Sequence, residues 1–132
     1  MGGFLKHTML HTASTIKQPP KLRLRPIAEA ILGTGYDVTV VFVGKTRART
    51  LNQTTRNKDY VPNVLSFPLT KQCGEVYLCP EVAAREAKNF DLSVNGYLTY
   101  LFIHGCLHLK GHDHGPKMDK LEAQYCAQFG VR

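Results

Sequence analysis

The sequence of 132 residues lacks the features that mark several specialised classes of protein. It contains no tryptophan, and no run approaches the roughly 20 apolar residues that a membrane-spanning helix needs. The longest largely apolar stretch, Val38 to Val43, is only as long as a strand. The N-terminus also lacks the apolar core of roughly 7–15 residues found in secretory signal peptides. We therefore expect neither secretion nor association with a membrane.

Cysteine is present but is not arranged as in a disulfide scaffold. The four cysteines include no C-x-x-C pair, and Cys106 falls within an apolar helical run. Reduced, mostly buried thiols are typical of a cytoplasmic protein. Acidic residues are absent from residues 1–28, which is compatible with an organellar transit segment. A loosely ordered start or a short edge strand would explain the same segment, and these alternatives stay open.

The length and the hydrophobic pattern predict one α+β domain, residues 1–132, in which residues 1–25 form a loosely defined N-terminal segment. Ser93 is a plausible N-cap for the longest helix, and Gly111 is expected to end that helix in a left-handed conformation. We expect a small mixed sheet packed on helices. The predicted strands are 36–43, 64–69 and 75–79, and the predicted helices are 26–32, 46–56, 80–88, 93–110 and 117–129.

The positive charge of the chain is unevenly distributed. Residues 1–58 contain ten Lys/Arg against two acidic residues, a net charge of +8, whereas residues 59–132 have a net charge of −1. Such asymmetry favours a polyanionic partner. The sequence contains no evident basic amphipathic helix, so a lipid surface is the less favoured polyanion. Nucleic acid is therefore favoured, with a merely soluble basic surface as the alternative.

Three histidines near the end of the longest predicted helix suggest a metal site. His104 and His108 are four residues apart and would project from one helix face. Gly111 permits a reversal of the chain that can bring His114 back as a third ligand. Three neutral imidazoles with one open position are typical of a catalytic zinc site. His112 is a spare that could replace His114 if the turn differed.

The spacing of these histidines also occurs in metzincin proteases, where a glutamate follows the first histidine and acts as general base. Here that position is Gly105, which cannot accept a proton. The ligand set is thus compatible with zinc, but the chemistry of a peptidase is incomplete.

The segment HGCLHLKGHDH (104–114) closely resembles the H-G-x-L-H-L-x-G-x-D-H signature of the YbeY family, the zinc-dependent endoribonucleases of rRNA maturation. The segments LNQTTRNKD (51–59), VLSFP (64–68) and GEVYLCPEVAAREA (74–87) are similar to the same family in the same order. The family's tyrosine before its active-site arginine is Thr55 here.

The resemblance implies that His104, His108 and His114 bind one Zn²⁺ and that Arg56 is the catalytic arginine facing RNA. It also implies a single-strand-specific endoribonuclease that acts on the 3′ end of small-subunit rRNA and in ribosome quality control, with the ribosome as partner. We expect the neighbouring basic residues to bind the RNA backbone: Lys45, Arg47, Arg49 and Lys58.

Two questions about the chemistry remain open in the sequence. The nucleophile could be zinc-bound water or the RNA 2′-hydroxyl, and Glu75 and Asp113 are the candidates for a general base. Asp113 could instead orient a ligand imidazole. Two other functions compete with the nuclease: a non-catalytic ribosome-associated factor that zinc only braces, and a zinc hydrolase of peptides or small molecules.

Overall fold

The computed structural model describes residues 7–132, which form a four-stranded mixed sheet with five α-helices. The part of the predicted N-terminal segment that comprises residues 1–6 lies outside the described residues. The strands are β1 (Met9–Ser14), β2 (Asp37–Phe42), β3 (Val64–Thr70) and β4 (Cys73–Leu78). The helices are α1 (Arg25–Leu32), α2 (Lys45–Arg56), α3 (Pro80–Glu86), α4 (Val94–Leu109) and α5 (Pro116–Gln128).

The sheet has the strand order β1-β2-β4-β3. The pairs β1–β2 and β2–β4 are parallel, whereas β3 and β4 form an antiparallel hairpin. Because β2 has a neighbour on each side, its β-branched run can satisfy all its backbone hydrogen bonds in the interior. Val38, Val40 and Phe42 of β2 are buried accordingly. The predicted α+β class and mixed sheet are confirmed.

Helix α4 lies across one face of the sheet and contacts β3, β4, α1 and α5. Its apolar residues Leu98, Leu101, Phe102 and Ile103 are buried in the main core. The Ser93 side chain accepts a hydrogen bond from the Gly96 amide at 3.0 Å, so this helix begins at the predicted N-cap. The helix that carries two of the candidate ligands is therefore held rigidly against the sheet.

A smaller cluster, comprising Val43, Ala48, Cys79 and Val82, packs against Val41 and Tyr77. Val41 and Tyr77 alternate with the inward-facing residues of β2 and β4, so this cluster lies on the other face of the sheet. It connects the starts of α2 and α3 to the ends of the central strands. Helix α2 is therefore placed beyond the strand ends, with Arg56 at its far terminus.

Residues 9–14 form the parallel edge strand β1, which agrees with the short edge strand left open for this segment and not with a loosely ordered start. Two other local expectations differ from the structure. The helix predicted over 80–88 is α-helical only to Glu86 and continues as a 3₁₀ turn, Ala87–Phe90. The β3–β4 turn is tighter than the predicted turn because Cys73 already pairs with Thr70. All four cysteines are free. Among the helices described, none combines the length and apolar character needed to cross a membrane.

Candidate metal centre

The three predicted histidine ligands meet at the C-terminal end of α4. The potential ligand atoms of His104, His108 and His114 all lie within 4.8 Å of one another. The ring centroids of His104 and His108 are 4.5 Å apart, and that of His114 lies 5.1 Å and 4.7 Å from them. The structure thus brings together the set that helical spacing and the later turn predict, and this set can hold a metal ion.

The chain reversal after α4 places the third histidine. Gly111 adopts a φ of +92°, a region that side-chain-bearing residues rarely occupy. Its amide donates to the His108 carbonyl at 2.9 Å, and the His112 amide donates to the Leu107 carbonyl at 3.0 Å. Pro116 then starts α5, so the loop between the helices is short. His114 lies in this loop and is carried back over α4.

The Nδ1 atoms of the two helical histidines have partners that define their tautomers. His108 Nδ1 lies 3.0 Å from the backbone carbonyl of His112, which can only accept, so Nδ1 carries the proton. His104 Nδ1 contacts the carboxylate of Glu122 in the same way. In the neutral rings both Nε2 atoms therefore present lone pairs, and these atoms are 3.0 Å apart. Two lone pairs at this distance repel each other unless a cation lies between them.

The environment of His108 keeps its imidazole in the neutral form that binds metals. Burial and then the nearby His104 lower the pKa of His108 below its usual value of 6.5, against a smaller opposing effect of the His112 carbonyl. A metal ion competes with fewer protons for such a ring near neutral pH.

Arg56 faces the histidines from the end of α2. One guanidinium nitrogen, Nη1, donates to the Asn52 side-chain oxygen at 3.0 Å and to the Tyr60 hydroxyl at 3.3 Å. Asn52 is fully buried, and its amide nitrogen donates to the Tyr60 carbonyl at 3.1 Å. Asn57 ends the helix in a left-handed conformation, which asparagine tolerates better than most residues. The exposed arginine is thus held on a buried anchor.

Arg56 and the histidines line one cleft of about 480 Å³. Among the described residues, no carboxylate lines this cleft. Its remaining walls come from the loop before β3 and from β3 itself: Tyr60, Asn63, Val64, Leu65, Ser66 and Pro68. The cleft therefore presents a cation and three imidazoles in otherwise neutral surroundings, which suits a negatively charged ligand.

The other basic residues predicted to bind RNA lie outside the lining of this cleft. Lys45 pairs with Glu81 at 3.3 Å, and Arg49 pairs with Asp59 at 2.7 Å. The Arg49 guanidinium holds the pKa of Asp59 below its usual value. Within residues 7–132, Arg47 and Lys58 make no ion pair. The predicted basic track is thus partly neutralised by acids that come from other segments of the chain.

Neither candidate acid lines the cleft or hydrogen-bonds a histidine ligand in the described chain. Glu75 accepts a hydrogen bond from the Tyr77 hydroxyl at 3.2 Å and does not line the cleft. Asp113 is exposed and, in the described part of the chain, makes no hydrogen bond to a ligand imidazole. His112 contributes its backbone carbonyl to the site and is not part of the three-histidine group.

Glu122 is the site residue that sequence reasoning missed. It is buried on α5 and contacts His104, the role that Asp113 was expected to fill. A signal for it exists in the sequence, because Glu122 is the charged member of an otherwise apolar stripe with helical spacing. The other members of the stripe are Met118, Leu121, Tyr125, Cys126 and Phe129.

Comparison with known proteins identifies the family. The family model described as Endoribonuclease YbeY matches residues 6–129. A protein named Endoribonuclease YbeY from Methylobacillus flagellatus is 33% identical over 85% of this chain and 80% of its own. One of the same name from Pseudomonas putida strain W619 is 34% identical over 92% of this chain and 87% of its own.

The fold is also similar to a solved one. The solution structure of TM1509 from Thermotoga maritima superposes with a TM-score of 0.68 and 28% sequence identity. The match covers 91% of this chain and 88% of that one. The family match spans nearly every described residue, including the histidine cluster and Arg56, and the chain belongs to the YbeY family.

Proposed function

We propose that this protein is a zinc-dependent endoribonuclease that cleaves single-stranded RNA. Its relatives are named endoribonucleases, and the proposal extends that activity to this chain. The observation that carries it is one shared cleft, in which the Arg56 guanidinium faces the three-histidine group. RNA cleavage needs positive groups beside the phosphate to stabilise the negative charge on its oxygens in the transition state, and this cleft supplies them without a competing carboxylate.

The donor set of His104, His108 and His114 suits zinc. Three imidazole nitrogens with an open position form a catalytic rather than a structural zinc site. When bound, zinc supplies a Lewis acid that polarises a phosphoryl oxygen. The histidines hold the ion, and the hydrogen bonds at their Nδ1 atoms orient two of the three rings.

Arg56 binds and orients the scissile phosphate. Asn52 and Tyr60 engage its Nη1 atom, which leaves the other edge of the guanidinium for two phosphate oxygens. The arginine is positioned before substrate arrives, since its partner Asn52 is itself buried and bonded to the loop. This preorganisation lowers the cost of arranging charge at the phosphate.

The walls of the cleft favour a flexible single strand. The exposed ring of Tyr60 borders Arg56 and offers a flat surface on which a base can stack. Of the basic residues on α2 and the loop after it, Arg47 and Lys58 attract the flanking backbone, whereas Lys45 and Arg49 are already paired with Glu81 and Asp59. Rigid A-form RNA offers no unstacked base to such a site.

The biological substrate in this proposal is ribosomal RNA. The protein would mature the 3′ end of small-subunit rRNA and act in ribosome quality control in the cytoplasm, with the small subunit as its partner. The resemblance of its motifs to the family's supports this assignment, as does the excess positive charge of residues 1–58.

The decisive experiment compares two arginines of one helix. Arg56→Ala should keep one zinc ion per chain and lose roughly 10²–10³-fold in the cleavage rate of single-stranded RNA, the effect of removing one preorganised donor. Arg49→Ala is the matched control, because it removes the same charge from α2 at a residue already paired with Asp59. It should cleave at nearly the wild-type rate. His108→Ala should lose both zinc and cleavage.

Metal analysis and gel assays on single-stranded and duplex RNA of the same sequence supply the measurements. Zinc-loaded wild-type protein that leaves both RNAs intact would overturn the proposal and favour the non-catalytic factor. Cleavage by a folded, zinc-free His108→Ala protein would equally contradict it. A peptidase is disfavoured by position 105, where glycine stands in place of the general base and where even a Cβ atom would lie 2.9 Å from Ser66 and Val76 of the sheet.

A further inference from the structure

Glu122 is a buried acid whose location the proposed reaction does not explain. Its side chain is about 10% exposed, and it comes from α5, while the ligands His104 and His108 come from α4. Neighbours on its own helix face are apolar or aromatic, and the residue lines neither the cleft nor its mouth. It is therefore excluded from contact with a substrate in the cleft.

Burying a carboxylate costs free energy unless it is hydrogen-bonded, and a leucine would continue the apolar stripe of α5. The Glu122 carboxylate accepts a hydrogen bond from His104 Nδ1, and the Tyr100 hydroxyl of the same helix is its second hydrogen-bonding neighbour. The carboxylate also acts on Tyr100. Burial, and after it the charge of Glu122, raises the pKa of Tyr100 to about 12.

We infer that Glu122 is a positioning residue that orients His104 for metal binding and raises the affinity of the three-histidine group. The inference rests on the proposed metal site but not on RNA cleavage. The Nδ1–H group of His104 donates a hydrogen bond to the carboxylate, which commits the Nε2 lone pair to the metal and locks the ring rotation. It also increases the electron density that the imidazole donates.

The two helical ligands are thereby supported unequally. His108 donates a hydrogen bond to the neutral backbone carbonyl of His112, whereas His104 donates one to the Glu122 carboxylate of a different helix. Only the second support can be removed by a side-chain substitution, and only it depends on how α5 packs on α4. Glu122 therefore makes metal affinity depend on the packing of α5 against α4. The segment His104–His114 alone lacks this residue.

The test is zinc affinity, measured by competition with a chromogenic chelator and requiring no RNA. Glu122→Leu should weaken zinc binding roughly 10–100-fold, the usual effect of losing the hydrogen-bond partner of a ligand. Glu122→Gln keeps an oxygen that accepts the Nδ1 proton but lacks the charge, so it should recover part of that loss. Asp119→Asn removes an exposed acid of the same helix and should leave the affinity unchanged.

Two further readouts separate positioning from simple support of the fold. The thermal midpoint of metal-free Glu122→Leu should be equal to or above that of the wild type, while the rise in midpoint on adding zinc shrinks. In zinc-loaded wild type, the His104 Nδ1 proton should give a downfield NMR signal, which moves in Glu122→Gln and vanishes in Glu122→Leu.

Unchanged zinc affinity in both Glu122 variants would overturn the inference. So would equal losses of stability in the metal-free and zinc-loaded forms, which would mark a structural role. If Glu122→Leu does not fold, Glu122→Gln decides by its affinity and its Nδ1 signal. Wild-type protein that binds no zinc would instead refute the proposed function, so the two failures are distinguishable.

Discussion

At the scale of single residues, Asn52 holds together the side of the cleft that carries Arg56. Its side-chain oxygen accepts from Arg56 and its amide nitrogen donates to the Tyr60 carbonyl, so one buried amide bonds both the helix end and the following loop. Leaving one of these polar groups unpaired in the interior would cost about 1–3 kcal/mol. As a result, the Arg56 guanidinium donates a hydrogen bond to the exposed Tyr60 hydroxyl.

This contact predicts an unusual tyrosine. The hydrogen bond from Arg56 lowers the pKa of Tyr60 below its usual value of 10 despite slight burial. Burial raises the pKa values of Tyr36, Tyr77, Tyr97 and Tyr100 instead. Spectrophotometric titration should therefore show Tyr60 ionising before these four.

Substitutions assign that first phase. It should disappear in Tyr60→Phe and move to higher pH in Arg56→Ala, because the charge that favours the phenolate is gone. The Arg49→Ala protein should titrate like the wild type, since Arg49 is engaged by Asp59. A first phase that survives in Tyr60→Phe would show that Arg56 does not bond this hydroxyl in solution.

At the scale of elements, α4 serves two purposes on adjacent faces. One face presents His104 and His108 to the cleft, and the other packs so closely on β3 and β4 that only glycine is accommodated at position 105. A Cβ atom there would lie 2.9 Å from both Ser66 Oγ and Val76 Cγ1. The glycine that removes the general base of a metzincin is thus a packing requirement of this fold.

Gly105→Ala should therefore destabilise the protein. Alanine gains about 1 kcal/mol of helix propensity over glycine. Overpacking against the sheet costs about 1–3 kcal/mol and outweighs that gain, because Val76 is fully buried and has no room to move. We expect the free energy of unfolding to fall by up to about 2 kcal/mol in urea denaturation.

Asn95→Ala on the same helix is the control, since Asn95 is exposed and meets no such contact. Its free energy of unfolding should stay within about 0.5 kcal/mol of the wild type. A Gly105→Ala protein as stable as this control would mean that α4 can shift away from the sheet at no cost.

At the scale of the whole molecule, the charge available to RNA differs from the charge counted in the sequence. The N-terminal half carries a net charge of +8, but acids of the other half neutralise two of its predicted RNA contacts. Glu81 of α3 pairs with Lys45, and Asp59 pairs with Arg49. Lys58 follows Arg56 by two residues and, within the described chain, has no acidic partner. Of the four predicted RNA contacts, Arg47 and Lys58 therefore keep a charge that no acid of the described chain pairs with, and Lys58 is the one next to Arg56.

Two lysine variants test this distribution. Lys58→Ala should reduce the salt dependence of single-stranded RNA binding by about 0.7 in the slope of log K against log salt, the value expected for one lost phosphate contact. Lys45→Ala removes an equal charge but one engaged by Glu81, and the slope should change little. Anisotropy titrations of chelator-treated protein at several salt concentrations measure both. Equal slopes for the two variants would contradict a backbone path beside Lys58.

Much of the fold can be predicted from local sequence patterns. Prediction is weaker where an element depends on pairing with a segment that is distant in the sequence. Ser93 and Gly111 bound α4 as expected because capping and positive φ depend on a few adjacent residues. Strand β1 was only one of the alternatives left open for the N-terminal segment, since residues 9–14 are mostly exposed and lack an alternating pattern. It exists through parallel backbone pairing with β2, a segment more than twenty residues later.

For the site, the sequence by itself determined the three-histidine group. The helical period sets the spacing of His104 and His108, and a glycine turn returns His114 within a few residues. Only the tertiary structure decided that Arg56 faces this group, that Lys45 and Arg49 are paired, and that Glu122 supports His104. The reason is range: periodicity and turns act within about one helical turn, whereas these contacts join elements that meet only when the sheet and helices pack.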